Sequence, residues 1–150
     1  MTSEPIYKVF VSSTSRDLHE ERAKVQKALL KLNCLPVTME LFPAADEEAW
    51  EFIRQQIDDS DYYVVLVTGR YGSLAADGVS YTDKEYDYAR EKGIPSIGFV
   101  HANRGWMVKK LEAFIAKIKG RLVKEFTNPH QLALEVTTSF VDLKRNRPRT

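Results

Sequence analysis

The chain carries one cysteine and three histidines among its 150 residues. Cys34 has no partner for an internal disulfide, which fits a reducing, cytoplasmic setting. His19, His101 and His130 lie far apart and show no ligand spacing, so no metal site is expected. No apolar run approaches the length that crosses a bilayer, and the first residues, M-T-S-E-P, have neither the basic start nor the apolar core of a secretion signal. Charge of one sign is also missing. Lysine and arginine total 22 against 21 acidic residues. That balance leaves no electrostatic footprint for nucleic acid or an anionic membrane. Glycine and proline are sparse, and no repeat or low-complexity stretch interrupts the chain.

What is present is an ordinary globular composition, 43% apolar and 29% charged, at a length that fits one domain with a real core. Residues 1–5 read as a disordered leader and 6–143 as the domain. Residues 144–150, K-R-N-R-P-R-T, read as a basic tail or the start of a linker.

Strand and helix signals alternate throughout. Ile6 to Ser12 is β-branched and aromatic, near-continuously apolar, and suits a central parallel strand. Ser12 to Ser15 supplies turn and N-cap chemistry for a helix over Arg16 to Leu32, whose Leu18, Val25, Leu29 and Leu32 form one stripe. Cys34 to Met39 is a second strand, and Pro36 assigns it to a sheet edge. A helix over Glu47 to Asp58 follows, with Trp50, Ile53 and Ile57 on one face. Tyr62 to Thr68, Y-Y-V-V-L-V-T, is the strongest strand signal. Next come a helix from Tyr81 to Lys92 stopped by Gly93, a strand from Pro95 to Val100, and a helix from Val108 to Ile118. A short strand over Arg121 to Phe126 precedes the last helix, opened by Asn128 and Pro129 and running to Leu143. This βαβαβαβαβα alternation predicts an α/β three-layer sandwich. It has a five-stranded parallel sheet in the flavodoxin-like order 2-1-3-4-5.

In that order a crevice opens at the carboxyl ends of the first and third strands. The loops Ser12 to Asp17, Glu40 to Asp46 and Gly69 to Thr82 converge there. They bring Ser12, Ser13, Arg16, Phe42, Arg70, Tyr71, Ser73, Tyr81 and Glu85. Hydroxyls and arginines suit phosphate and ribose oxygens, and aromatics suit a flat base. A lone carboxylate suits a ribosyl cation or ribose hydroxyls. The expected ligand is a nucleotide whose ribose bond is cleaved.

Each group also has a plainer reading. Thr82-x-x-Glu85 is a capping box in which the glutamate folds back over its own helix start. Against this, Tyr81, Glu85 and Tyr88 share one face, which places a carboxylate among tyrosines. Ser12 to Ser15 is an N-cap cluster or a phosphate cradle. Arg70 binds phosphate or pairs with Asp77 or Asp83.

Y-K-V-F-V-S-S-T-S-R-D-L, from Tyr7 to Leu18, resembles the opening box of TIR domains. D-S-D-Y-Y-V-V-L-V-T-G-R-Y-G-S followed by S-Y-T-D-K-E-Y-D-Y-A-R-E-K-G-I-P resembles their third strand and next helix. It is also similar to nucleoside deoxyribosyltransferases. The nearest resemblance is to a TIR-like bacterial family catalogued as a domain of unknown function, found beside NTPase or repeat modules linked to antiphage defence. It spans Lys8 to Leu143. The resemblance implies cleavage of the nicotinamide–ribose bond of NAD, by hydrolysis or by cyclisation to a signalling nucleotide. NAD is then the substrate and no further cofactor is needed. It implies Glu85 as the catalytic carboxylate, with Tyr81 one turn before it and Ser12 and Ser13 near the ribose and phosphates. It further implies homo-oligomers or filaments on activation, and a downstream effector that responds to the product. E-L-F-P-A-A-D-E-E departs from the usual TIR second loop, and Thr82 stands where many TIR domains have cysteine. Two other functions stay open: a nucleoside or nucleotide ribosyl hydrolase or transferase, and a non-catalytic TIR-like assembly module.

Overall fold

The structure, a computed structural model, describes residues 6–14, 18–38, 47–72, 74–102, 109–120 and 122–146. Its elements are β1 (Tyr7–Ser13), α1 (His19–Lys31), β2 (Cys34–Thr38), α2 (Glu47–Asp58), β3 (Tyr62–Val67) and α3 (Tyr81–Glu91). They are followed by β4 (Ser96–His101), α4 (Lys109–Lys119), β5 (Val123–Phe126) and α5 (Pro129–Asn146). The sheet is wholly parallel in the order β2-β1-β3-β4-β5. This is the flavodoxin-like α/β arrangement that the alternation predicts.

The sheet separates two cores. Val9, Val11, Tyr62, Val64, Leu66 and Phe99 meet α1 and α5 through Val25, Leu29, Leu132, Val136 and Phe140. On the other face, Phe10, Tyr63, Val65, Val67 and Val100 meet α2, α3 and α4 through Ile53, Ile57, Tyr86, Ala89, Leu111 and Phe114. All six residues of β3 are buried, which explains its unbroken apolar run. Each large aliphatic or aromatic side chain buried this way contributes about 1.5–3 kcal/mol relative to exposure.

Several ends differ from the sequence reading for local reasons. α1 begins at His19, its N-cap position is Leu18, and no side chain caps it. Ser12 and Ser13 cannot serve that helix because β1 runs through them, paired with Val65 and Leu66 of β3. β2 lies at the edge as expected, with Pro36 opposite Val9. α3 closes in a Schellman turn: the Ile94 N–H donates to the Ala89 carbonyl and the Gly93 N–H to that of Arg90, with Gly93 at φ +75°. The Asn128 side chain accepts from the Gln131 N–H at 2.9 Å, capping α5 as expected. α5 then runs to Asn146, past the expected stop at Leu143. Lys144 belongs to the domain rather than to a tail: its ammonium donates to the Leu32 carbonyl at 2.6 Å and sits over the Tyr7 ring. Among the described residues, no helix is long and apolar enough to cross a membrane.

Candidate functional site

β1 and β3 are neighbours, and their pairing continues past the strand ends. The Thr14 N–H donates to the Leu66 carbonyl, and the Thr68 N–H donates to the Thr14 hydroxyl, both at 3.0 Å. The chain leaving β3 turns back through Gly72, at φ +104°, where a Cβ would meet the Thr82 hydroxyl and the Thr14 carbonyl. A narrow hairpin follows. The Ala75 N–H donates to the Val79 carbonyl, and Leu74 bridges Ser80. That hairpin delivers Ser80, at φ −70° and ψ 151°, as the N-cap of α3. The Ser80 hydroxyl accepts from the Asp83 N–H at 3.0 Å.

The Thr82–Glu85 capping box, the plainer reading of this stretch, is therefore not formed. Thr82 instead donates its hydroxyl to the Ser13 carbonyl at 3.0 Å, tying the first turn of α3 to the end of β1. Glu85 points toward the sheet. It is buried, 7% exposed, and its Oε1 accepts from the Ser12 hydroxyl at 2.6 Å. Burial pushes the carboxyl up to about 7, and the Ser12 bond offsets part of that rise. Glu85 is thus poised to gain or lose its proton near neutral pH, at the carboxyl end of β1 and beside the switch point of the sheet.

The remaining expected residues divide. Ser12 and Ser13 close β1, as described. Tyr81 is half-buried, with its ring tilted against Trp50 at 6.5 Å. Tyr88, the other aromatic on this face, packs edge-on to Trp50 at 6.3 Å and donates to Asp58 at 2.7 Å. Tyr71 is drawn elsewhere: its hydroxyl donates to Asp83 at 2.6 Å and its ring packs against Phe114. Arg70 is exposed. Of the two acids considered as its partners, Asp77 pairs with Lys84 at 2.9 Å and Asp83 with Lys117. Arg16, Phe42 and Ser73 lie outside the described residues.

Ser80, Asp83, Lys117, Trp50 and Tyr63 contribute beyond the residues expected at the site. Ser80 is the true cap. Asp83, Lys117 and Tyr71 form a polar clamp from α4 to the first turn of α3, with Lys117 also reaching Asp87 at 2.8 Å. Trp50 is half-buried, packs against the core and backs Tyr81. Tyr63 of β3 is fully buried and brings a hydroxyl next to Ser12 and Glu85. The overlapping S-x-x-D inside S-Y-T-D-K-E was a signal for Ser80; none marked the role of the others. Among the described residues, no group of histidine, cysteine and acidic side chains is arranged to hold a metal ion.

Among solved structures, the crystal structure of diflavin flavoprotein A3 from Nostoc sp. is similar at 13% identity with a TM-score of 0.47. That likeness covers 96% of this chain and 97% of the other. No curated protein matches the chain. The model of the family described as a domain of unknown function (DUF4062) matches residues 8–141, and the chain belongs to that family.

Proposed function

We propose that this protein is a TIR-like enzyme that consumes NAD, breaking the bond between nicotinamide and ribose. Support for this reading comes chiefly from one observation: the Ser12–Glu85 hydrogen bond, 2.6 Å long and buried at the carboxyl end of β1. A helix-capping glutamate would be exposed and satisfied by its own backbone. This one is freed from capping by Ser80 and held at the place where open α/β sheets bind ligands.

The chemistry follows from the charge that develops. As the C1′–N bond lengthens, its electron pair moves onto the pyridine nitrogen, and neutral nicotinamide departs. The positive charge moves to the ribose ring, where the ionised Glu85 stabilises it. Water then adds at C1′ and releases a proton, giving ADP-ribose. Attack by a nucleophile of the same nucleotide would give a cyclic product instead. Ser12, Ser13 and Arg70 are suited to ribose and phosphate oxygens. Tyr81, braced by Trp50, is suited to a flat ring. A homo-oligomer or filament is the proposed active form, and the signalling product fits a role in bacterial antiphage defence.

The test is nicotinamide release from NAD by the purified protein, measured across protein concentration and against a panel of other nucleosides and nucleotides. Release of nicotinamide that falls a hundredfold or more in Glu85→Gln is the expected outcome, the scale of roughly 10²–10³ seen for one well-placed stabilising group. Release of a purine or pyrimidine base instead would reassign the substrate. No turnover at any concentration would leave a non-catalytic assembly module.

A further inference from the structure

The Tyr63 hydroxyl is one of three buried side-chain polar atoms without a hydrogen-bond partner among the described residues, with Arg54 Nε and the Ser139 hydroxyl. Tyr63 is opposite Phe10 in the β1–β3 register, and Ser12 lies two residues further along the same face. Its ring stacks on Phe10 at 5.9 Å and meets Tyr86 edge-on at 6.1 Å. The side chain is 0% exposed. Ser12 and Glu85 are close enough to act on its hydroxyl, yet no hydrogen bond of sound geometry reaches that oxygen among the described residues. A phenylalanine would fill the same space without leaving a buried hydroxyl unpaired.

The neighbouring carboxyl supplies a reason. A protonated Glu85 calls for fewer incoming donors than an ionised one, because one of its oxygens carries a proton, and Ser12 already supplies one donor. An ionised Glu85 accepts only, with room for several donors and one donor in place. We propose that Tyr63 is a positioning residue for Glu85, the reserve donor whose O–H turns onto the carboxylate when Glu85 loses its proton. The proposal rests on the reading of Glu85 as the working carboxylate. The role calls for the O–H bond to turn toward the carboxylate while the ring stays packed between Phe10 and Tyr86.

The surroundings leave this role to Tyr63. Burial first, then the charge of Glu85, pushes the phenol well above its ordinary value, so it keeps its proton and remains a donor. From α3, Tyr86 and Asp83 also face it. Asp83 is neutralised by Lys117 of α4, and the Tyr86 hydroxyl accepts from Arg90 at 3.5 Å. On α2, Arg54 lies over Trp50 and Tyr88, and Asp58 is held by Tyr88.

The experiment is a carboxyl-carbon NMR titration of Glu85 in protein labelled at glutamate. Tyr63→Phe is expected to raise the Glu85 midpoint by about one unit, a tenfold gain in proton affinity. Fluorotyrosine placed at position 63, a stronger donor of the same shape, is expected to lower it, and it decides the matter alone if Tyr63→Phe does not fold. A midpoint unmoved by either change overturns the proposal. Nicotinamide release measured on the same samples separates the two claims. A shifted midpoint in a protein that never cleaves NAD keeps the Tyr63–Glu85 pairing and refutes the enzyme. Cleavage with an unmoved midpoint does the reverse.

Discussion

Glu85→Gln should make the folded protein more stable at alkaline pH, and the size of the gain follows from the site. The carboxyl titrates at about 7 in the fold against an ordinary value of 4.5. A rise of about 2.5 units corresponds to roughly 3 kcal/mol that the folded state loses when Glu85 must be ionised. The sign is set by which state holds the proton. Below about pH 4.5 the carboxyl is protonated in both folded and unfolded chains, and burial carries no ionic penalty. Between about pH 4.5 and about pH 7 the unfolded chain ionises first, so stability falls by about 1.4 kcal/mol per pH unit. Above about pH 7 the full penalty remains.

Glutamine has the shape of the protonated acid and can still accept from Ser12, but it cannot ionise. Parent and variant should therefore unfold at similar urea concentrations near pH 4.5 and diverge as pH rises. Near pH 8 the variant should be ahead by about 3 kcal/mol, or about 6–12 °C in Tm for a chain of this size. Urea titrations of both proteins at stepped pH, followed by circular dichroism, measure this directly. A variant that is less stable near pH 8, or a gap independent of pH, would refute the reasoning. Either result would mean that Glu85 is an ionised structural partner and not a desolvated acid.

If Glu85 works in its ionised form as proposed, nicotinamide release should rise with pH below about 7, approaching tenfold per unit, and level off above. Ser12→Ala removes the bond that holds the Glu85 carboxyl down; the midpoint of that pH profile should move upward with the carboxyl. Ser80→Ala should cost about 1 kcal/mol in urea unfolding through loss of the α3 cap, whereas a capping role for Thr82 would place that loss in Thr82→Ala instead. Thr82→Val keeps the shape but breaks the tie to the Ser13 carbonyl; it should cost about 1 kcal/mol and lower turnover without moving the pH midpoint.

The sheet order and most element bounds were legible because they rest on long patterns. β3 is a run of buried β-branched and aromatic residues, and α2 was bounded correctly by its three-then-four apolar spacing. The site was legible only in part, because its decisive choices are tertiary. S-Y-T-D-K-E contains two overlapping capping boxes, Ser80 with Asp83 and Thr82 with Glu85, and both satisfy the same spacing rule. The hairpin from Leu74 to Ser80 decides between them by fixing where the backbone becomes helical. Ser12 and Ser13 look like cap residues until their pairing with β3 extends β1 through them. Lys117 sits 34 residues beyond Asp83, so no local pattern joins them.

These tertiary ties also explain how the fold tolerates an acid where it is most costly. Three contacts hold the first turn of α3: the Ser80 cap, the Thr82 bond to Ser13, and the grip of Tyr71 and Lys117 on Asp83. A cap contributes about 1 kcal/mol, a neutral hydrogen bond about 1, and a charge-assisted one about 1.5–3. Together they match, to order of magnitude, the roughly 3 kcal/mol that ionising Glu85 costs near neutral pH. A helix anchored only by its apolar face could relieve that cost by rotating slightly and turning Glu85 out to water. The ties lie on the first turn of α3, just before Glu85, so rotation would break them, and the carboxyl stays against Ser12. In the proposed enzyme, the same bracing would keep the carboxylate at a fixed point for its ligand.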